Sequence, residues 1–181
     1  MKSTTAVSVI MPLYNCGDFV VEALESVRAQ TFGDWEVCIV DDCSTDNSRE
    51  LVRNYVNRTG DKRIYLIEQE SNQGVSTARN RGIAHTTGDW IAFLDPDDNW
   101  ESDWLATAMR EKDHADFVFA RLDVFGPTRG RKKRLGPGPL RRAFFPKVSI
   151  GGTLSFPPVW WSRGLRLWMQ VCLMKILRYS M

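Results

Sequence analysis

Short apolar runs alternate with amphipathic segments along the first two-thirds of the chain. The continuous apolar runs have the length and composition of buried strands. Between them, apolar residues recur at the spacing of one helix face. The pattern predicts strands at 6–13, 36–40, 64–67, 90–94 and 117–124, and helices at about 19–30, after residue 47, at 72–84 and at 102–112. Strands that alternate with helices predict a mostly parallel α/β sheet flanked by helices.

Polar residues at the predicted helix starts indicate where the helices begin. Asp18 is a candidate cap for the first helix, and Asn47 with Glu50 three residues later loosely fits a capping box. Ser102 or Asp103 is expected to start the last helix.

Three carboxylates follow the apolar run at 90–94 and surround one proline, in the order Asp95, Pro96, Asp97, Asp98. Pro96 has no N–H to donate to a sheet, so the strand is expected to end there. Clustered carboxylates repel one another unless a cation or a donor-rich ligand neutralises them. Mg²⁺ and Mn²⁺ prefer such oxygens. The stretch therefore predicts a metal–diphosphate site, and the alternative is an acidic loop that only caps the next helix.

Several of the polar residues follow the ends of different predicted strands. Tyr14, Asp41, Asp42, Asp95 and Asp97 all hold such positions. In parallel α/β sheets, ligands bind at the carboxyl ends of strands. This shared edge favours a ligand site over an acidic cap.

Charge divides the chain in two. Residues 1–123 contain 12 basic and 22 acidic side chains, a net −10, whereas residues 124–181 contain 12 basic and no acidic ones. Turn-forming Gly-Pro pairs and the basic run 131–134 follow the break. We therefore expect a domain at 1–124 and an irregular basic segment at 125–181.

The remaining composition narrows the class of protein. Four cysteines without a CxxC spacing, and an N-terminus without a long apolar core, favour a cytoplasmic protein. No GxGxxG follows the first strand and no GxxxxGK[ST] occurs, which disfavours dinucleotide-binding and P-loop folds. Asp95 does not begin an EF-hand loop, because the sixth position is Trp100 and the twelfth is Ala106.

Four motifs together resemble the nucleotide-sugar-binding half of the family 2 glycosyltransferases. They are VSVIMPLYN at 7–15, VDDCSTDNS at 40–48, NQGVSTARNRGI at 72–83 and TGDWIAFLDPDD at 87–98. The resemblance covers residues 6 to about 124. It implies the Rossmann-like GT-A fold, a nucleoside-diphosphate sugar donor, and Mn²⁺ or Mg²⁺ as cofactor. It also implies a transferase of polysaccharide or cell-envelope biosynthesis, acting on a saccharide or lipid-linked saccharide.

The resemblance also implies roles for individual residues. Pro12 and Tyr14 would lie against base and ribose, and Asp42 or its neighbour Asp41 would accept from a pyrimidine base. Arg79 would contact the diphosphate, which suits a guanidinium. Asp95 and Asp97 match the DxD pattern that binds metal, with Asp97 as the direct ligand and Asp95 beside ribose or metal. Trp100 and Trp104 are expected in the core, or alternatively along a sugar pocket.

The resemblance weakens toward the C-terminus. Inverting transfer needs a general base, in this family a carboxylate well beyond the DxD pattern, and no carboxylate follows Asp123. One explanation is a chain truncated or out of frame near Trp160, which leaves a non-catalytic sugar-nucleotide-binding remnant. Another is a basic amphipathic helix, including Leu165, Trp168, Cys172 and Leu173, at the inner face of the membrane. A third is a helix packed on the domain. We expect no nucleic-acid partner.

Overall fold

The computed structural model describes residues 5–114, 117–119, 141–142 and 172–175. Its helices are α1 (Val20–Arg28), α2 (Ser48–Thr59), α3 (Val75–His85) and α4 (Trp104–Met109). Its strands are β1 (Val7–Leu13), β2 (Trp35–Asp41), β3 (Ile64–Glu68), β4 (Trp90–Phe93), β5 (Phe117–Phe119), β6 (Arg141–Arg142) and β7 (Cys172–Lys175). Every strand and helix predicted up to residue 112 is present. The predicted strand residues 120–124 and the basic run 131–134 lie outside the described residues.

The described strands form one sheet in the order β3-β2-β1-β4-β7-β5-β6. β3, β2, β1 and β4 are parallel neighbours, so the predicted parallel α/β arrangement is confirmed. β7 runs antiparallel to both β4 and β5. The chain adds β2 and β3 on one side of β1 and β4 on the other. The strand order therefore reverses between β1 and β4. The crevice outside the carboxyl ends of these two strands is a topological switch point, where ligands bind in α/β sheets.

The two faces of the sheet are covered by different helices. On one face, Val9 and Met11 of β1 share a core with α1, α2 and α4. On the other, Ile10 packs with Ala78 and Ile83 of α3. This alternation follows from the period of two in a strand, and a strand buried on both faces reads as a continuous apolar run.

Gly82 permits close packing of α3 on the sheet. A Cβ at this position would lie 2.6 Å from Ile10 Cγ2, which is closer than carbon atoms approach in folded proteins. The missing side chain therefore holds α3 against β1, and this contact fixes the helix that carries Arg79.

The predicted helix caps differ from the structure in their bonding. Phe19 rather than Asp18 occupies the cap position of α1. Asn47 and Asp103 occupy the cap positions of α2 and α4, yet neither forms a side-chain capping bond. The local pattern located the starts of the helices, but tertiary contacts determine which side chains accept hydrogen bonds from the free amides of the first turn.

The amphipathic helix, one of the alternatives considered for the C-terminal segment, is not formed at Cys172–Lys175, which is strand β7. A short apolar run fits either structure, and pairing with β4 and β5 selects the strand. The other residues of that predicted helix lie outside the described part of the chain. Within the described residues, no helix has the length and hydropathy to cross a membrane.

Candidate functional site

The carboxylate stretch forms a tight turn at the end of β4. The Leu94 amide still donates to Ile10 O at 3.1 Å, and the Asp98 amide then donates to Asp95 O at 3.1 Å. Asp95 and Pro96 hold the first two positions of this turn, where aspartate and proline are favoured. Asp97 at the third position is exposed, whereas Pro96 is buried. The turn thus presents Asp97 to solvent from a fixed backbone.

Arg79 of α3 contacts this turn directly. Its Nη2 lies 2.7 Å from Asp95 Oδ1, and its guanidinium carbon lies 5.6 Å from the Phe93 ring centre. The two side chains are 30% and 18% exposed. Arg79 Nε is buried and has no acceptor among the described residues. The cation is therefore held at the sheet edge with part of its hydrogen-bonding capacity unused.

Asp98 lies in an electrostatically unfavourable position. Burial, together with the smaller effects of the Asp97 and Asp95 charges, raises its pKa to about 6. Its Oδ2 is buried without a partner in the described part of the chain. Three neighbouring carboxylates thus carry more negative charge than the protein groups around them neutralise.

Asp42 joins the end of β2 to the start of α3. The backbone amides of Gln73 and Gly74 each donate to its carboxylate at 2.7 Å, and Gln69 Nε2 also donates to Oδ1. Gly74 has φ 86°, a left-handed conformation that suits glycine. The residue as a whole is only 3% exposed. Asp42 Oδ2 accepts from Gly74 alone among these donors, so it retains capacity for a further donor.

Asp41 points to the opposite face of the sheet, as adjacent residues of a strand do. Its buried carboxylate accepts from Arg49 of α2, with Nη2 at 2.7 Å and Nε at 2.8 Å. The Ser44 amide lies 3.3 Å from both carboxylate oxygens. Asp41 therefore fixes α2, whereas Asp42 shares the α3 side with Arg79.

The loop after β1 is fastened to the loop after β2. Asn15 adopts φ 51°, which asparagine tolerates better than most residues. Its Oδ1 accepts from the Thr45 amide at 2.8 Å and from the Asp46 amide at 3.3 Å. Tyr14, immediately before it, is 47% exposed, whereas Pro12 is buried within β1. The hydrogen bonds of Asn15 hold the loop in place and leave the Tyr14 ring exposed at the carboxyl end of β1.

Cys16 lies within electrostatic reach of the carboxylate turn. Burial raises the pKa of its thiol, and the charges of Asp97, Asp46 and Asp95 raise it further. Its amide donates to Ser48 Oγ at 2.8 Å. β1 and β4 are parallel neighbours, so the loop after β1 and the turn after β4 leave the sheet side by side.

Trp100 and Trp104 follow the turn and stack on each other. Their ring centres are 4.4 Å apart with planes inclined by 20°. Trp100 is 6% exposed and belongs to the core, and Trp104 packs against it. The expectation of core packing is confirmed.

The fit of a metal ion depends on the donors that the site contains. Within the described residues, no group of three or more His, Cys, Asp or Glu side chains could hold a metal ion by itself. Mg²⁺ and Mn²⁺ need no such group when a diphosphate supplies the remaining oxygens. The exposed carboxylate of Asp97 and the unpartnered Oδ2 of Asp98 fit a cation shared with a ligand.

The predicted site residues thus fall into two groups. Tyr14, Asp42, Asp95 and Asp97 follow the carboxyl ends of β1, β2 and β4, and Arg79 of α3 reaches the same end of the sheet through Asp95. Asp41 is turned to α2, and Pro12 is buried. Sequence reasoning missed Gln69 and Asn15, which hold the surrounding loops. Both follow a strand by one or two residues, so the strand-end rule applied to amides as well as acids would have found them.

The family comparison decides the class of this chain. The model of glycosyl transferase family 2 matches residues 8–167. The chain belongs to this family. The suspected resemblance is therefore confirmed, and the site just described lies within the matched part of a family 2 glycosyltransferase chain.

Two relatives illustrate the sequence similarity of this family 2 chain. TuaG of Bacillus subtilis (strain 168), whose name assigns it provisionally to teichuronic acid biosynthesis, is 42% identical over 122 residues, 67% of this chain and 45% of TuaG. WfgD of Escherichia coli, a UDP-Glc:α-D-GlcNAc-diphosphoundecaprenol β-1,3-glucosyltransferase, is 35% identical over 120 residues, 65% of this chain and 46% of WfgD. The matched region is less than half the length of either relative.

Solved structures confirm the GT-A fold. The mannosyltransferase PcManGT from Pyrobaculum calidifontis, in complex with GDP-Man and Mn²⁺, matches with a TM-score of 0.62 at 28% identity, over 68% of this chain and 37% of PcManGT. Residues 1–349 of Staphylococcus aureus TarS, in complex with UDP-GlcNAc, match with a TM-score of 0.57 at 31% identity, over 70% of this chain and 36% of TarS.

Proposed function

We propose that this chain binds a nucleoside-diphosphate sugar together with Mn²⁺ or Mg²⁺ and transfers the sugar, with inversion, to an acceptor hydroxyl. The family assignment supports a glycosyltransferase. The donor site would occupy the switch point between β1 and β4.

The observation that carries this proposal is the position of α3 between two acidic strand ends. The two residues that precede α3, Gln73 and Gly74, donate their backbone amides to the carboxylate of Asp42. Just over one turn into the helix, Arg79 contacts Asp95. One rigid helix thus aligns a candidate base-binding carboxylate, a phosphate-binding guanidinium and the carboxylate turn.

Each group has a role in donor binding that suits its chemistry. The Tyr14 ring would stack on the base, since its exposed face lies at the rim. Asp42 Oδ2 would accept from a base N–H, as a pyrimidine imide provides. Arg79 would donate to the diphosphate in place of Asp95, in a bidentate arrangement that favours phosphate. Asp41 would act indirectly, by fixing α2.

The carboxylate turn would hold the cation. Asp97 would be the direct ligand, and Asp95 would lie by ribose or metal once Arg79 has turned to the phosphates. A divalent cation bound there would neutralise charge that develops on the departing diphosphate. Arg79 would stabilise the same charge from the α3 side.

A second candidate function follows from the acceptor-binding half of the chain, where the general base is expected. No carboxylate follows Asp123, and inverting transfer requires a base. This absence favours, as the alternative, a sugar-nucleotide-binding chain that does not catalyse transfer. Donor-binding calorimetry beside hydrolysis and transfer assays separates the two. Binding without turnover would support the alternative, unless a partner chain that contributes a carboxylate restores transfer.

The relatives guide the choice of acceptor. The name of WfgD gives a sugar linked to diphosphoundecaprenol as acceptor, and that of TuaG gives a polymer pathway. We therefore propose a saccharide or lipid-linked saccharide acceptor and a role in cell-envelope polysaccharide synthesis. Such an acceptor would place the protein in the cytoplasm at the inner face of the membrane, with the basic segment 125–181 as the part to test for membrane contact.

A thermal-shift panel of nucleoside-diphosphate sugars, with and without Mn²⁺, tests the donor proposal. A ligand at about 100 times its dissociation constant stabilises the native state by ~2.7 kcal/mol, which raises the Tm by roughly 5–11 °C in a chain of this size. UDP- and GDP-linked sugars are the first members, because both occur in the solved neighbours. If no sugar nucleotide shifts the Tm in the presence of Mn²⁺, the proposal is wrong.

A further inference from the structure

Three polar side chains form a stripe along α1 and the residues that follow it. Glu22, Ser26 and Gln30 are spaced by four residues, which places them on one side of the helix. Their surroundings differ: Glu22 is exposed, Ser26 is partly buried and Gln30 is 8% exposed. A buried glutamine is unusual unless its amide is hydrogen-bonded. All three contact the segment directly after the carboxylate turn.

The contacts follow this segment almost residue by residue. Asn99 Nδ2 donates to Glu22 Oε1 at 2.8 Å, and the Trp100 amide donates to Ser26 Oγ at 3.2 Å. Gln30 Nε2 donates to Glu101 O at 2.7 Å. The Thr31 amide, next along the chain, donates to Ser102 O at 2.8 Å.

Gln30 also completes the start of α4. Its Oε1 accepts from the Leu105 amide at 2.8 Å, and Leu105 is the second residue of that helix. The residue at the cap position, Asp103, forms no side-chain capping bond. A first-turn amide that a cap residue ordinarily satisfies is therefore satisfied by Gln30, which follows the end of α1 and lies 75 residues earlier in the chain.

We infer that Gln30, supported by Ser26 and Glu22, is a positioning residue that holds the carboxylate turn at the distance from β1 and α3 that metal and diphosphate require. The turn is attached to the sheet on its N-terminal side through Leu94 and Ile10. On its C-terminal side, the contacts with α1 attach it. Metal ligands held at both ends of a short turn keep their geometry, and loss of such support typically weakens metal binding. The metal part of this inference rests on the proposed function.

The first test needs no ligand. Hydrogen exchange is compared between the full-length wild type and Gln30→Met, which keeps the side-chain length and removes both polar atoms. The Leu105 amide and the amides of residues 97–102 are expected to exchange roughly 2- to 10-fold faster, the effect of one lost hydrogen bond. Amides of the loop at 42–48 should not change. Unchanged exchange at residues 97–105, or equal acceleration throughout the chain, would overturn the holding role.

The second test measures the apparent affinity for Mn²⁺ in the presence of UDP and, separately, of GDP. Gln30→Met is expected to weaken it by about tenfold or more, with little change in nucleotide binding without metal. Val52→Ala, a core substitution in α2, is the matched control, since it lowers the Tm without touching the segment. If the two variants lose Mn²⁺ affinity equally, Gln30 acts only through general stability and the inference fails.

Substitutions at two other positions, Ser26 and Glu22, keep the inference testable if Gln30→Met does not fold. Ser26→Ala removes the acceptor of the Trp100 amide while it favours the helix, and should weaken Mn²⁺ binding to a smaller extent. Glu22→Gln keeps an acceptor for Asn99 and should behave as wild type, whereas Glu22→Ala should not. A wild type that binds neither nucleotide would refute the proposed function and the metal role together, while hydrogen exchange would still decide whether Gln30 holds the turn.

Discussion

Arg79 Nη2 lies 2.7 Å from Asp95 Oδ1, so a candidate phosphate-binding cation is paired with a carboxylate of the DxD motif. Both side chains remain partly exposed, so water and salt weaken the pair relative to a fully buried one. A diphosphate offers the guanidinium more acceptor oxygens than one carboxylate does. The pair therefore holds Arg79 close to the proposed phosphate position. When a diphosphate replaces Asp95 as its partner, the lost ion pair is compensated by new hydrogen bonds to phosphate oxygens.

Arg79→Gln should weaken binding of the nucleoside diphosphate selected by the panel by about 10- to 100-fold, since a hydrogen bond to a charged group is worth ~1.5–3 kcal/mol. Binding of the corresponding monophosphate should change much less, because the second phosphate is the proposed partner. Isothermal calorimetry measures both. Arg81→Gln, two residues along the same helix, is the matched control and should bind as wild type. Equal losses for the two nucleotides would remove Arg79 from the diphosphate site.

Asp97→Ala should abolish the Mn²⁺-dependent part of the thermal shift and keep the metal-independent part. Asp97 is exposed on the turn, so its removal should lower the Tm of the free protein only slightly. Asp34→Ala, at an exposed position beside the amino end of β2, provides a control of equal charge change at the opposite edge of the sheet. A full Mn²⁺ response in Asp97→Ala would place the metal elsewhere.

The strand-end positions of the site were predictable from sequence because they depend on local patterns. Apolar runs locate β1, β2 and β4, and parallel strands bring their carboxyl ends to one edge. That reasoning placed Tyr14 and Asp42 correctly at the edge that the structure shows. It could not tell Asp41 from Asp42, because the choice depends on the direction of the strand relative to α2 and α3.

Contacts between distant residues were not predictable. The bonds from Gln30 to Leu105 and from Asn15 to Thr45 join residues 75 and 30 positions apart, and no local pattern specifies such pairs. The same limit explains the caps, since Asn47 holds the cap position of α2 without a side-chain capping bond. It also explains β7, whose four residues become a strand only by pairing with β4 and β5.

Asp42→Asn and Asp41→Asn should separate binding from stability. In Asp42→Asn the new amide cannot accept at both positions, so the backbone amide of Gln73 or Gly74 loses its partner. We expect a loss of about 1–3 kcal/mol in unfolding free energy together with loss of nucleotide binding.

Asp41→Asn should destabilise the fold while the native protein still binds nucleotide, because its carboxylate bonds to Arg49 and Ser44, away from α3. The loss should stay below the ~3–5 kcal/mol of a fully buried pair, since Arg49 is 30% exposed. Urea denaturation and calorimetry measure the two effects. If Asp41→Asn abolishes nucleotide binding by the native protein and Asp42→Asn does not, the assignment is reversed.

Cys16 offers a chemical measure of charge at the carboxylate turn. Burial raises the pKa of the Cys16 thiol most and the charge of Asp97 adds to the rise, so Asp97→Asn should lower that pKa part of the way toward the ordinary value of 9.0. At a fixed pH of about 8, a larger fraction would then be thiolate, and a neutral alkylating reagent should modify Cys16 faster. Mass spectrometry of timed samples gives the rate, and the pH profile of that rate should shift to lower pH.

Two comparisons make the alkylation result specific. Asp34→Asn should leave the Cys16 rate unchanged, because Asp34 is not among the charges that raise the Cys16 pKa. Cys38 should remain unmodified in every native variant, since burial, with a contribution from Glu36, raises its pKa to about 12 and its side chain is fully buried. A Cys16 rate that is the same in Asp97→Asn as in wild type would mean that the Asp97 charge does not act on the loop after β1. The position proposed for Asp97 beside that loop in the donor site would then be wrong.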